Sequence, residues 1–408
     1  MAAVAGGISG PVSGHVKDPP GTAGMSGLSQ GIAGQHTCGV ASWKRQRDRV
    51  PPGLMAILAG HGRPVNAVGF SPDGRLLASG GADRAVILWD VTDPAHPALR
   101  ASLAHPRPGR PLRRFWLDPG VRTAGFSPDG KLLACGTADW AVILWDVTDP
   151  AHPSRRACLA HPRPGKLAGA AGTDNGVSAA GFSPDGRLLA CTSGKTVVVW
   201  DIADPAHPRQ RAALTHGPRR VLNAAGFSPD GKLLATAATA RKDTAILWDA
   251  TELDHPARLA AITAGRREWA ARTTTSAPPT VKALGFSPDS RLLVTGSGQT
   301  ASSEYGSSSS GAVVLWDVTD PAHPCRTAPA LRRPRGAVEV HAVTISPDGR
   351  LMATDEGTAV TVWDITDPAY PAKTSTLAHR RLVRGIAFSP DSRLLASCGT
   401  DIRLWDMR

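Results

Sequence analysis

"LWDVTDPAHP", residues 88–97, decides the fold because it does not occur once. The same ten residues return at 144–153 and 315–324, with near-copies at 199–208 (VWDIADPAHP) and 362–371 (VWDITDPAYP). Self-similarity at a spacing of roughly 50 residues marks a repeat architecture, in which each unit buries its apolar face only against its neighbours. Working outward, Trp-Asp endings at Trp89, Trp145, Trp200, Trp248, Trp316, Trp363 and Trp405 define seven units.

Each unit carries a turn that begins at Ser71, Ser127, Ser183, Ser228, Ser287, Ser346 or Ser389 and reads SPDG five times and SPDS twice. Proline presets φ at the second position, Asp accepts local backbone N–H groups, and Gly takes the positive φ that closes a hairpin. Ser290 and Ser392 stand where Gly is preferred, which predicts modest strain. The flanks, such as VNAVGF, RLLASG and AVILWD, are short, apolar and β-branched, and read as buried strands. The DPAHP link cannot continue a ladder, so it turns the chain into a fourth strand such as PALRASLAH. Its His96, His152, His207 and His323 are expected to pack against that turn, a role given to Tyr370 in the sixth unit.

These residues, with the "GH" at Gly60 and His61, resemble the WD-repeat β-propellers of bacterial type over about residues 54–408. The resemblance implies an all-β, seven-bladed propeller. After Asp406 only Met407 and Arg408 remain, so the last unit lacks a fourth strand; GLMAILAGHG at 53–62 is a fourth strand without the preceding three. Pairing the two predicts a ring closed by the N-terminal strand, with no exposed sheet edge at the seam. The predicted domains are a disordered Gly/Ala/Ser-rich tail or linker at 1–52 and the propeller at 53–408.

The resemblance further implies that a His, a Ser or Thr, a turn Asp and the terminal Trp tie each blade together. His61, Ser79, Asp83 and Trp89 satisfy it in blade one. Blade two keeps His105, Asp139 and Trp145 but has Cys135 at the Ser position, and the turn Asp is missing or displaced in blades three to six. Apolar packing is therefore expected to hold most blades.

Composition excludes several classes. No stretch approaches the ~18–20 uninterrupted apolar residues of a membrane span, and the start of the chain lacks the basic and apolar regions of an export signal. The 6 Cys contain no CxxC pair, which favours reduced thiols and a cytoplasmic protein. HExxH does not occur, and SGKT at 193–196 lacks the upstream Gly of a phosphate loop. The reading is non-enzymatic, with no cofactor and no metal site.

Function is sought where repeats differ. Insertions fall in the fourth-to-first connections (105–121, 161–176, 216–220, 264–280, 331–339) and in the second-to-third turns (239–243, 296–311). Alternating strand direction brings both sets to one face. Lys and Arg outnumber Asp and Glu in all of these segments but the last, so the net charge of +12 is concentrated there. The segment GQTASSEYGSSSSG at 298–311 is read as mobile. Arg113, Arg114, Phe115, Trp116, Trp140, Arg266, Arg267, Trp269, Arg332 and Arg333 are the candidate partner-binding residues, because exposed Trp beside Arg is hot-spot composition. The expected function is a monomeric protein-interaction scaffold or the sensor part of a signalling protein, with an acidic protein partner and no membrane. The alternatives are polyanion or nucleic-acid binding by the same face and, third, a channel-centred hydrolase.

Overall fold

A computed structural model describes residues 53–408 apart from 106–119, 162–175, 218–220, 240–243, 253, 255, 264–279, 304–305 and 333–338. The proposed tail at 1–52 lies outside the described residues. Blade one shows the plan that the others repeat. Its strands are Val65–Phe70, Leu76–Gly81, Ala85–Asp90 and Ala98–Ala104, joined antiparallel in that order. The described residues form five four-stranded sheets and one nine-stranded sheet. The large sheet is blades four and five, joined by the single pair Thr239↔Thr280. Seven blades result.

Each innermost strand packs beside the next, and the innermost strand of blade seven, Gly385–Phe388, packs beside Val65–Phe70 of blade one. The ring is closed as expected. Leu54–Leu58 pairs antiparallel with Ile402–Asp406, in the register Ile57↔Arg403 and Leu58↔Ile402, and supplies the outer strand of blade seven. Across the same seam, Val65 N–H donates to Gly399 O at 2.6 Å.

The core is a set of layers between blades. Trp89 packs with Ala396, Ile402 and Leu404 of blade seven, and Trp145 packs with Ala78, Val86 and Leu88 of blade one. Trp405, fully buried, packs with Val360 and Val362 of blade six. Each Trp thus fills the layer shared with the preceding blade, so no blade buries its apolar face alone. Gly80 and Gly136 permit this spacing. A Cβ at either would stand 2.5 Å from Val121 or 2.7 Å from Val177 of the following blade.

The SPDG turns form a uniform face. Ser71 Oγ donates to Asp73 Oδ1 at 2.5 Å and accepts from Leu76 N at 2.9 Å, and the pattern recurs in the other turns. Burial alone would raise the Asp73 carboxyl. The Ser71 hydroxyl and Arg75 N–H outweigh it and hold the group below its ordinary range. Ser290 and Ser392 adopt φ of 61° each, the expected strain. Their hydroxyls accept Asp230 N at 3.0 Å and Asp348 N at 3.1 Å from the preceding blades.

The expectation for the link histidines needs correction. Side chains of His96, His152 and His207 are 80–84% exposed, and each Nδ1 lies 2.8–2.9 Å from the Asp three residues earlier in its own link. Tyr370 is 82% exposed. Asp93 and its equivalents already turn the chain through their own backbone bonds, such as Ala95 N–H to Asp93 at 3.1 Å, so the imidazole is not needed as packing.

Candidate functional site: the channel mouth and loop face

At the face opposite the SPDG turns, five innermost strands carry a register shift near their beginnings, between Val65 and Ala67, Val121 and Thr123, Val177 and Ala180, Leu222 and Ala224, and Val281 and Ala283. A bulge turns an extra side chain out of the regular alternation. Here the displaced residues include Asn66, Arg122, Ser178, Asn223 and Lys282, and all five line one cavity of about 370 Å³. His341 and Arg384 complete the polar lining, so every blade contributes one polar residue, with Leu382 and Val383 beside Arg384 as the apolar part.

Hydrogen bonds carry this ring across the blade seams. Asn66 Nδ2 donates to Val121 O at 2.8 Å, Ser178 Oγ to Leu222 O at 3.0 Å, and Asn223 Nδ2 to Val281 O at 2.8 Å. Lys282 pairs with Glu339, and Arg384 Nη1 donates to Asn66 Oδ1 at 2.6 Å across the closing seam. Buried Asp355 accepts His341 N and Ala342 N at 2.9 and 3.0 Å. The ring therefore fixes donors in place while it stitches neighbours together.

Sequence reasoning missed this ring. A signal was present: each of its seven residues stands five positions ahead of the turn serine of its blade, as Asn66 does before Ser71 and Arg384 before Ser389. Because the residue types differ from blade to blade, similarity between repeats does not reveal them.

The candidate loop residues fare unevenly. Arg113, Arg114, Phe115, Trp116, Arg266, Arg267, Trp269 and Arg333 lie outside the described residues. Arg332 is placed only by its backbone, in the short strand Leu331–Arg332 paired with Ala312 and Val313. Trp140 is half-buried at φ 67°, and its six-membered ring lies against the turn of blade three, where a Cβ on Gly194 would come within 3.2 Å. In the equivalent turn of blade one, Arg84 (φ 71°) pairs with Asp139 of blade two. These positions latch neighbouring blades at the loop face. Within the segment 298–311, Gly298–Ser303 pairs with Gly306–Gly311, part of a ribbon of Leu292–Ser303 against Gly306–Asp317.

The tying residues also depart from expectation. In blade one His61 Nδ1 meets Asp83 at 3.0 and 3.1 Å, and Ser79 Oγ joins His61 Nε2 and Trp89 Nε1, both at 2.8 Å. Burial pushes the Asp83 carboxyl up, but the Ala85 N–H, His61 and Gly62 hold it below its usual range. The Trp bond to Ser or Thr persists beyond blade one: Trp248 donates to Thr236, Trp316 to Thr295, Trp363 to Thr354 and Trp405 to Ser397, at 2.7–3.2 Å. The polar tie is thus more widespread than the turn Asp count implied. It fails in blades two and three. Cys135 and Cys191 replace the hydroxyl, and among the described residues His105, Trp145 Nε1, His161 and Trp200 Nε1 have no side-chain hydrogen-bond partner. Asp139 serves Arg84, not His105. Burial lowers His105 and His161 to about 4, with the Arg84 charge adding to the effect at His105. Burial also pushes the Cys135 and Cys191 thiols far up, so neither is a ready nucleophile.

Among the described residues no helix is long and apolar enough to cross a membrane, and no cluster of three or more His, Cys, Asp or Glu is placed to hold a metal.

A closed ring of seven blades ending in Trp-Asp, with a polar channel mouth, is a β-propeller scaffold. The WD domain, G-beta repeat family matches at residues 53–90, 111–146, 165–201, 271–317 and 372–406. The chain belongs to the WD-repeat family. Blades four and six escape the match, although their strands and Trp248 and Trp363 are in place. Among curated relatives, a WD repeat-containing protein WDS homolog of Arabidopsis thaliana is 31% identical over 41% of this chain. A periodic tryptophan protein 2 homolog of Schizosaccharomyces pombe is 31% identical over 24%, and small ribosomal subunit protein RACK1y of Oryza sativa is 38% identical over 23%. The matched parts are 27%, 10% and 23% of those proteins' own lengths. All three are eukaryotic and give the bacterial-type qualifier no support. Their membership fits a protein-interaction scaffold.

Proposed function

We propose that the chain is a non-catalytic, monomeric, cytoplasmic interaction scaffold that binds an acidic segment of a partner protein on its loop face. The observation that carries this reading is the contrast between the two faces. One repeats the same Ser-Pro-Asp turn around the ring, whereas the other gathers seven side chains of five different types at the channel mouth. Sequence places the Lys and Arg excess in the connections on that second face. A surface that differs from blade to blade can specify a partner; one that repeats offers only copies of the same contact.

Charge reversal tests the assignment. Arg113→Glu with Arg114→Glu on the loop face is expected to lower the recovery of co-purified partner about tenfold at physiological salt. Arg187→Glu, in an SPDG turn, is expected to leave recovery unchanged. Equal loss from both faces would refute the reading. The sequence pI of about 10.0 favours a second reading, polyanion binding by the same face. That reading requires affinity for a nucleic-acid probe to fall steeply and log-linearly with salt.

A further inference from the structure

Blade seven carries a patch on the loop face that the candidate partner-binding residues do not include. Two fourth-to-first connections flank it, 379–384 leading in from blade six and 59–64 leading out to blade one. The second-to-third turn of the blade lies between them. Gly399 O accepts Val65 N at 2.6 Å on one side, and on the other Gly399 meets Leu382 O so closely that no Cβ would fit. Arg63, Arg380, Arg381 and Arg384 are thereby gathered around one turn, and all are exposed.

Their charge is poorly compensated. Asp83 is engaged by His61 and by the Gly62 and Ala85 N–H groups, and Asp401 by Arg403. Arg384 donates to the neutral side chain of Asn66, which leaves its charge in place. Among the described residues, the side chains of Arg63, Arg380 and Arg381 form no ion pair or hydrogen bond, and neither does Glu356 in the neighbouring turn of blade six. Leu382 stands among these cations, 46% exposed, at the rim of the channel-mouth cavity. An exposed leucine alone means little. Of the large apolar side chains exposed among the described residues, however, this is the one on the loop face: Ile57 and Leu99 lie on outer strands, and Tyr370 in a link on the opposite face. The loop is also pinned. His379 N–H donates to Thr358 O and Val383 N–H to Gly357 O, each at 2.7 Å, and Arg384 N–H to Cys398 O at 2.8 Å.

Resting on the loop-face reading above, we propose that the partner docks at this seam, through a short peptide segment that carries an apolar side chain between carboxylates. The apolar side chain covers Leu382, while Arg380 and Arg381 on one flank and Arg63 on the other take the carboxylates. Guanidinium matches carboxylate with paired N–H donors, and an apolar contact inside a charged rim is the anatomy of a protein interface. A pinned loop needs no ordering of its backbone on binding. Nucleic acid is the poorer fit, because neither connection nor the turn holds a Trp, Tyr or Phe on which a base could stack.

The test is fluorescence anisotropy of the full chain against labelled peptides Glu-Asp-X-Asp-Glu, with X as Leu, Phe or Ser, and against a labelled short single-stranded DNA. Saturable binding of the Leu or Phe peptide is expected, about tenfold tighter than that of the Ser peptide. Arg380→Glu with Arg381→Glu is expected to weaken Kd about tenfold or more, and Leu382→Ser to abolish the preference for Leu over Ser. Arg187→Glu, in an SPDG turn, is expected to leave Kd unchanged. Because Arg380, Arg381 and Leu382 are exposed, these variants are expected to melt with the parent chain. No saturable binding of either apolar peptide overturns the proposal, as do equal binding of all three peptides, Kd unchanged in the Arg380 and Arg381 variant, or preference for the DNA strand. Loss of peptide binding in Arg113→Glu with Arg114→Glu alone keeps the loop-face reading and refutes the seam site; equal loss in Arg187→Glu refutes both.

Discussion

Blades one and two share the third strand AVILWD, and their second strands, LLASGG and LLACGT, differ at two positions, Ser79 against Cys135 and Gly81 against Thr137. In blade one the Ser79 hydroxyl joins His61 to Trp89. In blade two the His105 and Trp145 rings still meet edge-on, 6.1 Å between centroids, close to the 6.0 Å of His379 and Trp405 around Ser397 in blade seven. The aromatic pair is therefore set by the fold, and the hydroxyl only connects it. Packing shapes the blade; the polar tie removes the cost of burying an imidazole and an indole N–H without partners.

The largest break in this comparison comes from the tryptophans. Trp89→Ala and Trp145→Ala should each cost about 3–5 kcal/mol in urea unfolding. Trp89→Ala should be the worse by about 1 kcal/mol, since it also takes a partner from Ser79. A larger loss in blade two would mean that the tie contributes nothing.

Acid comes next. His105 and His161 are held near 4 by burial, against 6.5 for an ordinary imidazole. The unfolded chain then takes up protons first, so stability present above about pH 6.5 is lost as pH falls toward 4. The loss is on the order of 2–3 kcal/mol for each group. His379, also lowered to about 4 by burial, adds to the slope. Tm measured against pH should flatten, but not become level, in a His105→Leu, His161→Leu double variant. An unchanged slope would contradict the burial of neutral imidazoles in blades two and three.

Cys135→Ser sharpens the comparison in the opposite direction. The new hydroxyl would sit as Ser397 does, between rings whose centroids are 6.1 Å apart against 6.0 Å, and should stabilise the chain by about 1 kcal/mol in the same urea measurement. The smallest effect belongs to the turns. Ser290→Gly should shift stability by less than about 0.5 kcal/mol, because relief of positive φ offsets the lost bond from Asp230 N. Ser290→Ala keeps the strain and loses the bond, and should cost about 1 kcal/mol.

Much of the fold was legible because the repeats are nearly copies. The Trp-Asp endings, the Ser-Pro-Asp turns and the fourth strand at Leu54–Leu58 appear in the chain as recurring letters, and even ring closure follows from the odd strand at each end. The candidate site was less legible. Asn66, Arg122 and Ser178 share a position but not a chemistry, so recurrence hides them, and only their common distance from the turn serine marks them. Trp140 reads as a candidate anchor by composition, and its half-buried ring also lies against the turn of blade three. Composition cannot tell a partner's surface from the next blade's.

The sequence by itself determined the number of blades, the order of strands within them and the strand that closes the ring. All of these follow from local turn chemistry and alternating apolar residues, which act over a few neighbours along the chain. Tertiary structure alone decided which side chains meet around the channel and which imidazoles lose their partners. Those outcomes depend on residues some 55 positions apart, such as Asn66 and Val121, brought together only when seven blades pack side by side and each layer is shared with a neighbour.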